Sequence, residues 1–230
     1  MPADPTMDEA ERRFSWLLEQ RGYEFVTEGE LERKIAVRGR RPDFYVDTAR
    51  GPLLVEVESF EEETVLARLQ GGCGSLDPEP IFNRIRTAIR HARRQLKKYA
   101  DLRIPMLIVL DSWRQVGIPN NYAELRSAMF GTPHVLRPLA VADGRPLGPA
   151  RLHHGRGQMF NSDHGQYVSA VAWNIATERF DTIEERDPML VERPMQLRIM
   201  HNSFADVPLP REMFAAPGDE HQPLTESVRE

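Results

Sequence analysis

The stretch from Arg41 to Ser59 limits what this chain can fold into more than any other. Phe44, Tyr45 and Val46 are strand formers, Asp47 to Pro52 is a turn cluster, and Leu53 to Glu58 runs back as a second strand. Period two sends Val55 and Val57 to one face and Leu54, Glu56 and Glu58 to the other. An antiparallel return of this length brings Asp43 beside Glu56. Three carboxylates, Asp43, Glu56 and Glu58, then converge among β-branched and aromatic neighbours. Packed acids repel and are costly to desolvate unless a cation or protons intervene. A hard divalent cation with oxygen ligands suits such a site.

Two helical patterns flank the hairpin. Ala10, Phe14, Leu17 and Leu18 recur at helical spacing behind a capping box at Thr6 and Glu9, and Gly22 is a natural stop, so a helix is predicted over residues 7–21. Glu11 lies near one edge of its apolar stripe. The second helix is predicted over residues 81–102, with Ile85, Ala88, Ile89, Ala92, Leu96 and Tyr99 on one stripe and Gln95 at its margin. No acid falls between Arg84 and Lys98, so Arg90, Arg93, Arg94 and Lys97 form a basic face suited to a phosphate backbone. A solvated face is the plainer alternative. Ile104 to Leu110 is a continuous apolar run, read as a strand buried on both sides.

The arrangement of Pro42-Asp43, twelve residues, then Glu56-Val57-Glu58 resembles the core of the PD-(D/E)XK nuclease superfamily. The order helix, strand, hairpin, helix, strand is the order that core requires, and the likeness covers about residues 7–111. The resemblance implies an α/β fold: a mixed central sheet between the two helices, restriction-endonuclease-like, over residues 1–112. It also implies that Asp43 and Glu56, helped by Glu11, bind Mg²⁺ or Mn²⁺. Glu58 would orient or deprotonate the attacking water, and Gln95 would position a ligand. Glu58 departs from the pattern, because the family usually carries lysine there; some restriction enzymes of this fold carry glutamate. The expected activity is metal-dependent hydrolysis of nucleic-acid phosphodiesters. The alternatives are a catalytically lapsed binding module on the same fold, or a structural acid cluster bonded to Arg38, Arg40 or Arg41.

The chain has 230 residues, net charge -5 and a single cysteine, Cys73. One large domain is expected, with no disulfide framework, a reducing cytoplasmic compartment and no membrane partner, since no apolar run nears a membrane span. Any nucleic-acid binding must come from a local basic face rather than from overall charge. The N-terminus does not read as a signal peptide. Residues 113–214 read as an extension packed on the same domain. They comprise a helix over 122–130, a strand pair from Val135 to Val141 with a turn at Asp143-Gly144, a strand from Tyr167 to Ile175, an extended segment from Leu190 to His201 and an arm from Val207 to Phe214 docked by its apolar residues. His153, His154 and His164 lack zinc-ligand spacing and read as part of a Gly-rich loop. Residues 215–230 are polar and are expected to be a disordered tail.

Overall fold

Strands that are apolar on both faces must lie inside a sheet covered on both sides, and two such strands organise this chain. They are β4 (Met106–Asp111) and β7 (Ala170–Ala176), every residue of which is buried. The computed structural model describes residues 7–31, 41–59, 78–111, 122–131, 133–136, 151–155, 158–176 and 194–222. Around β4 and β7 stand β1 (Glu24–Thr27), β2 (Phe44–Thr48), β3 (Gly51–Ser59), β8 (Met195–His201) and β9 (Glu220–Gln222). The sheet has seven strands in the order β1-β2-β3-β4-β7-β8-β9. The β1-β2-β3 pairs are antiparallel, β3-β4 and β4-β7 parallel, β7-β8 antiparallel and β8-β9 parallel. This is an α/β protein with a mixed sheet flanked by helices.

The period-two reading of the hairpin holds. Leu53, Val55 and Val57 join one core with Phe44 and Val46. Helix α1 (Glu9–Gln20) covers that core with Ala10, Phe14, Leu17 and Leu18. Phe14 packs edge-on against Phe44, with ring centroids 5.3 Å apart. Leu54 faces the other way, into a second core with Ile108, Leu110 and Trp173. Helix α3 (Pro78–Leu96) covers this side through Ile85, Ile89, Ala92 and Leu96. Each side chain of this kind, fully buried, contributes roughly 1.5–3 kcal/mol. A short α2 (Glu28–Leu31) follows β1, and α4 (Tyr122–Phe130) packs beside α3. Strands β5 (Pro133–Leu136) and β6 (Arg151–His154) pair as a separate antiparallel ribbon.

Three expectations are corrected. The capping box lies at Asp8 and Glu11 rather than Thr6 and Glu9: Glu11 N donates to Asp8 Oδ1 at 2.8 Å, and Asp8 N donates to Glu11 Oε2 at 3.0 Å. Aspartate is the stronger cap of the two candidates. The basic helix begins at Pro78, a residue suited to a first turn, and from Lys97 to Leu102 it tightens into a 3-10 helix. The segment expected to be a disordered tail is ordered at 215–222, where it forms β9. Asp219 anchors it, accepting from Arg21 Nη1 and Nη2 at 2.6 and 2.7 Å and from the Leu197 amide at 2.7 Å. A polar composition hides this, because the neutralising arginine lies at the far end of the sequence. Residues 223–230 and Cys73 lie outside the described residues.

A buried ion pair fastens α1 to the sheet. Arg13 Nε donates to Asp111 Oδ2 at 2.8 Å, and Asn174 Nδ2 donates to Asp111 Oδ1 at 3.0 Å. The two charged side chains are 4% and 1% exposed, so water screens neither. Asp111→Ala should therefore destabilise the protein by about 3–5 kcal/mol, because it strips a buried guanidinium of its carboxylate. Urea unfolding measures this, and a loss under about 1 kcal/mol would show that solvent or another acid compensates Arg13.

Candidate active site

β3 carries its acids on the face that α3 covers. Glu56 is 1% exposed, and its Oε1 accepts a hydrogen bond from Gln95 Nε2. Gln95 Oε1 is buried with no hydrogen-bond partner among the described residues. Asp43, just before β2, is also buried, and its Oδ2 accepts from the Val57 amide at 2.7 Å. That bond crosses from one hairpin arm to the other and sets Asp43 beside the Glu56 end of β3. The antiparallel register that brings them together pairs Phe44 with Val55.

Glu11 reaches this acid pair from α1. Asp43 is close enough to Glu11 to oppose the rise of its carboxyl. Burial is the main cause that raises the Glu11 carboxyl above its ordinary 4.5, and the nearby Asp8 and Glu28 charges add to it. Tyr99 lies fully buried near the same group, its phenol raised chiefly by burial, with Arg41 opposing and Glu56 and Glu28 reinforcing. Arg41 is tied to α2 through its amide, which donates to Glu28 Oε1 at 3.3 Å. Arg38 and Arg40 lie outside the described residues.

Glu58 behaves differently from Glu56. Its Oε1 lies 2.6 Å from His91 Nδ1, one turn of α3 before Gln95. Among the described residues, no group of three or more His, Cys, Asp or Glu side chains is placed to hold a metal ion. The expected trio of Asp43, Glu56 and Glu58 is thus not gathered around one point. Asp43 and Glu56 remain neighbours, with Gln95 and Glu11 completing an oxygen-rich site from two helices.

The basic face of α3 is open at Arg90, Arg94 and Lys97, all exposed. Arg90 and Arg94 line two grooves. One, of about 620 Å³, includes Glu58, Arg84 and His91. The other, of about 450 Å³, includes Lys97 but also Asp163 and Asp206. Arg93 is half-buried: its Nη1 donates to the Met159 carbonyl, and its guanidinium lies 5.3 Å from the Phe160 ring centre and 5.9 Å from that of Tyr167. It clamps the segment before β7 onto α3. His164 is exposed and bridges to Asn161, while His153 and His154 fall in β6.

His91 and Tyr99 were not singled out from the sequence as site residues. The available signal for His91 was its spacing: it precedes Gln95 by four residues, as Glu58 follows Glu56 by two, so matching periods of helix and strand bring both pairs into register. Comparison with protein-family models, with curated proteins and with solved structures returned no significant match. No described helix is long and apolar enough to cross a membrane.

The raised Glu11 carboxyl has a consequence for stability. An acid whose folded value lies above its unfolded value favours the fold fully below the unfolded value, and that contribution is lost as pH rises through the folded one. Glu11→Gln keeps a side-chain acceptor for the capping box but removes the charge. It should match wild type near pH 4 and be the more stable protein at pH 7, measured by urea unfolding at both. A variant less stable at pH 7 would show that the Glu11 charge is favourably compensated in the fold.

Proposed function

We propose that this chain is a divalent-cation-dependent nuclease of the PD-(D/E)XK kind. The observation that carries the reading is the pairing of buried Asp43 and Glu56 on adjacent hairpin arms, with Gln95 of α3 on Glu56 and Glu11 of α1 on Asp43. The order α1, β1, hairpin β2-β3, α3 and β4, interrupted by the short α2 after β1, supports it.

The donors present suit Mg²⁺ or Mn²⁺. They are all oxygens, two from carboxylates, and the buried Gln95 Oε1 is an acceptor in want of a partner. Asp43 and Glu56 would hold the cation, with Gln95 fixing Glu56 and Glu11 assisting from α1. When bound, such a cation polarises a phosphoryl oxygen and acidifies a coordinated water. The protein's own part is geometric and electrostatic. Val57 N and Gln95 Nε2 lock the two carboxylates in place, and the apolar sheet beneath excludes water. Arg90, Arg94 and Lys97 would guide the phosphate backbone along α3 toward the hairpin.

The second reading, a nucleic-acid-binding module that has lost catalysis, is favoured by one observation: the family lysine position holds Glu58, and that acid is engaged with His91. Single-turnover assays on mixed DNA and RNA oligonucleotides separate the two. The nuclease reading expects cleavage that requires Mg²⁺ or Mn²⁺ and is abolished by Asp43→Asn or Glu56→Gln while oligonucleotide binding survives. Binding without cleavage of any substrate would favour the module. Cleavage that survives both substitutions would move the chemistry elsewhere. Reversing the charge of Arg90, Arg94 and Lys97 should weaken binding alike for all sequences and lower the salt slope by about one unit per lost phosphate contact.

A further inference from the structure

β3 and α3 meet through two polar rungs. Glu56 meets Gln95, and one strand repeat and one helical turn away Glu58 meets His91. Residues two apart on a strand are separated by about 6.6 Å, and residues four apart on a helix rise by about 6 Å. The rungs therefore lie side by side, the first sealed and the second open: Gln95 is 7% exposed, whereas the His91 side chain is 49% exposed. The ionised Glu58 carboxylate can only accept, so His91 Nδ1 carries the hydrogen that joins them. In the neutral ring that leaves Nε2 as a proton acceptor. His91 stands in the wall of the 620 Å³ groove, and the charged groups lining that groove with it are Glu58 from β3 and Arg84, Arg90 and Arg94 from α3.

We propose that His91 is a catalytic residue of this site, the acceptor of the proton lost by the attacking water, and that Glu58 is its positioning residue. The proposal rests on the nuclease reading and completes it. Glutamate at the lysine position cannot place positive charge beside the phosphate; an imidazole held by that glutamate can, once it has taken a proton. In the step, the water oxygen forms a bond to phosphorus as the bond from phosphorus to the leaving ester oxygen breaks. The water's proton passes to His91 Nε2, and the departing alkoxide takes a proton from solvent. Glu58 holds the ring in the required tautomer and steadies the imidazolium that results, while Arg90 and Arg94 face the phosphate across the groove.

The test is single-turnover cleavage of mixed DNA and RNA oligonucleotides with Mg²⁺ or Mn²⁺, followed from about pH 5 to 9, for wild type, His91→Ala and Glu58→Gln. Thermal unfolding and oligonucleotide binding accompany each variant. Wild type should show a rate that rises with pH along an acid limb. His91→Ala should be slower by a factor of about 10²–10⁴, lose that limb, and recover rate with added imidazole, which a half-exposed position admits. Glu58→Gln should be slowed without recovery by imidazole, and both variants should unfold and bind oligonucleotide as wild type does. Cleavage by wild type with His91→Ala equally fast, or slowed with its limb intact and no imidazole recovery, overturns the role of His91 and leaves the nuclease reading standing. A wild type that binds oligonucleotide but cleaves none overturns both.

Discussion

A carboxylate inside a covered sheet is the constraint that everything else here accommodates. Glu56 lies mid-strand in β3, opposite Ile108 of β4, and is 1% exposed. Removing such a charge from water costs several kcal/mol unless hydrogen bonds or opposite charge compensate. Gln95 supplies one such bond, and that fixes the register of α3 against β3. Once Gln95 is set, His91 falls opposite Glu58, and the stripe from Ile85 to Leu96 turns inward. Arg90 and Arg94 are then left at its outer side, so the basic face and the acid site are two consequences of one docking geometry.

The opposite face of the sheet is held by a different charged group. Arg13 reaches Asp111 at the carboxyl end of β4, and Asn174 of the neighbouring parallel strand completes the cluster. The carboxyl ends of parallel strands are where open α/β sheets usually place ligands. Here that edge is closed on the α1 side by an internal ion pair. On the α3 side, among the described residues, a groove lies beside Glu58, at the level where Glu58 pairs with Leu110 of β4. Because Glu11 and Arg13 lie on the same helix, the ion pair also fixes how far α1 can slide and so keeps Glu11 within reach of Asp43.

Local period was enough to read much of this. The alternation in β3 sorted Val55 and Val57 from Leu54 and Glu56, the apolar run from Ile104 to Leu110 marked the central strand, which begins at Met106, and the helical period put Gln95 at the margin of the buried stripe. What escaped was pairing between distant residues. Arg13 and Asp111 are 98 positions apart, and Arg21 and Asp219 are 198 apart; neither leaves a local pattern. The tail looked merely polar because its stabilising partner is in the first helix. The cap was misplaced by two residues because Thr6-Glu9 and Asp8-Glu11 both satisfy the same spacing, and only the fold chooses. His91 was hidden inside a run of arginines, where its neighbours set the reading.

The central claim is that Asp43 and Glu56 form a cation site, and calorimetric titration with Mn²⁺ tests it without any need for a substrate. The account predicts about one cation bound per chain, in the micromolar to millimolar range typical of such oxygen sites, with affinity falling as pH is lowered because protons compete with the cation for the carboxylates. Asp43→Asn and Glu56→Gln should each remove the binding in a protein that still unfolds cooperatively. An absence of Mn²⁺ uptake by wild type at millimolar concentration, or uptake unchanged in both variants, would contradict it.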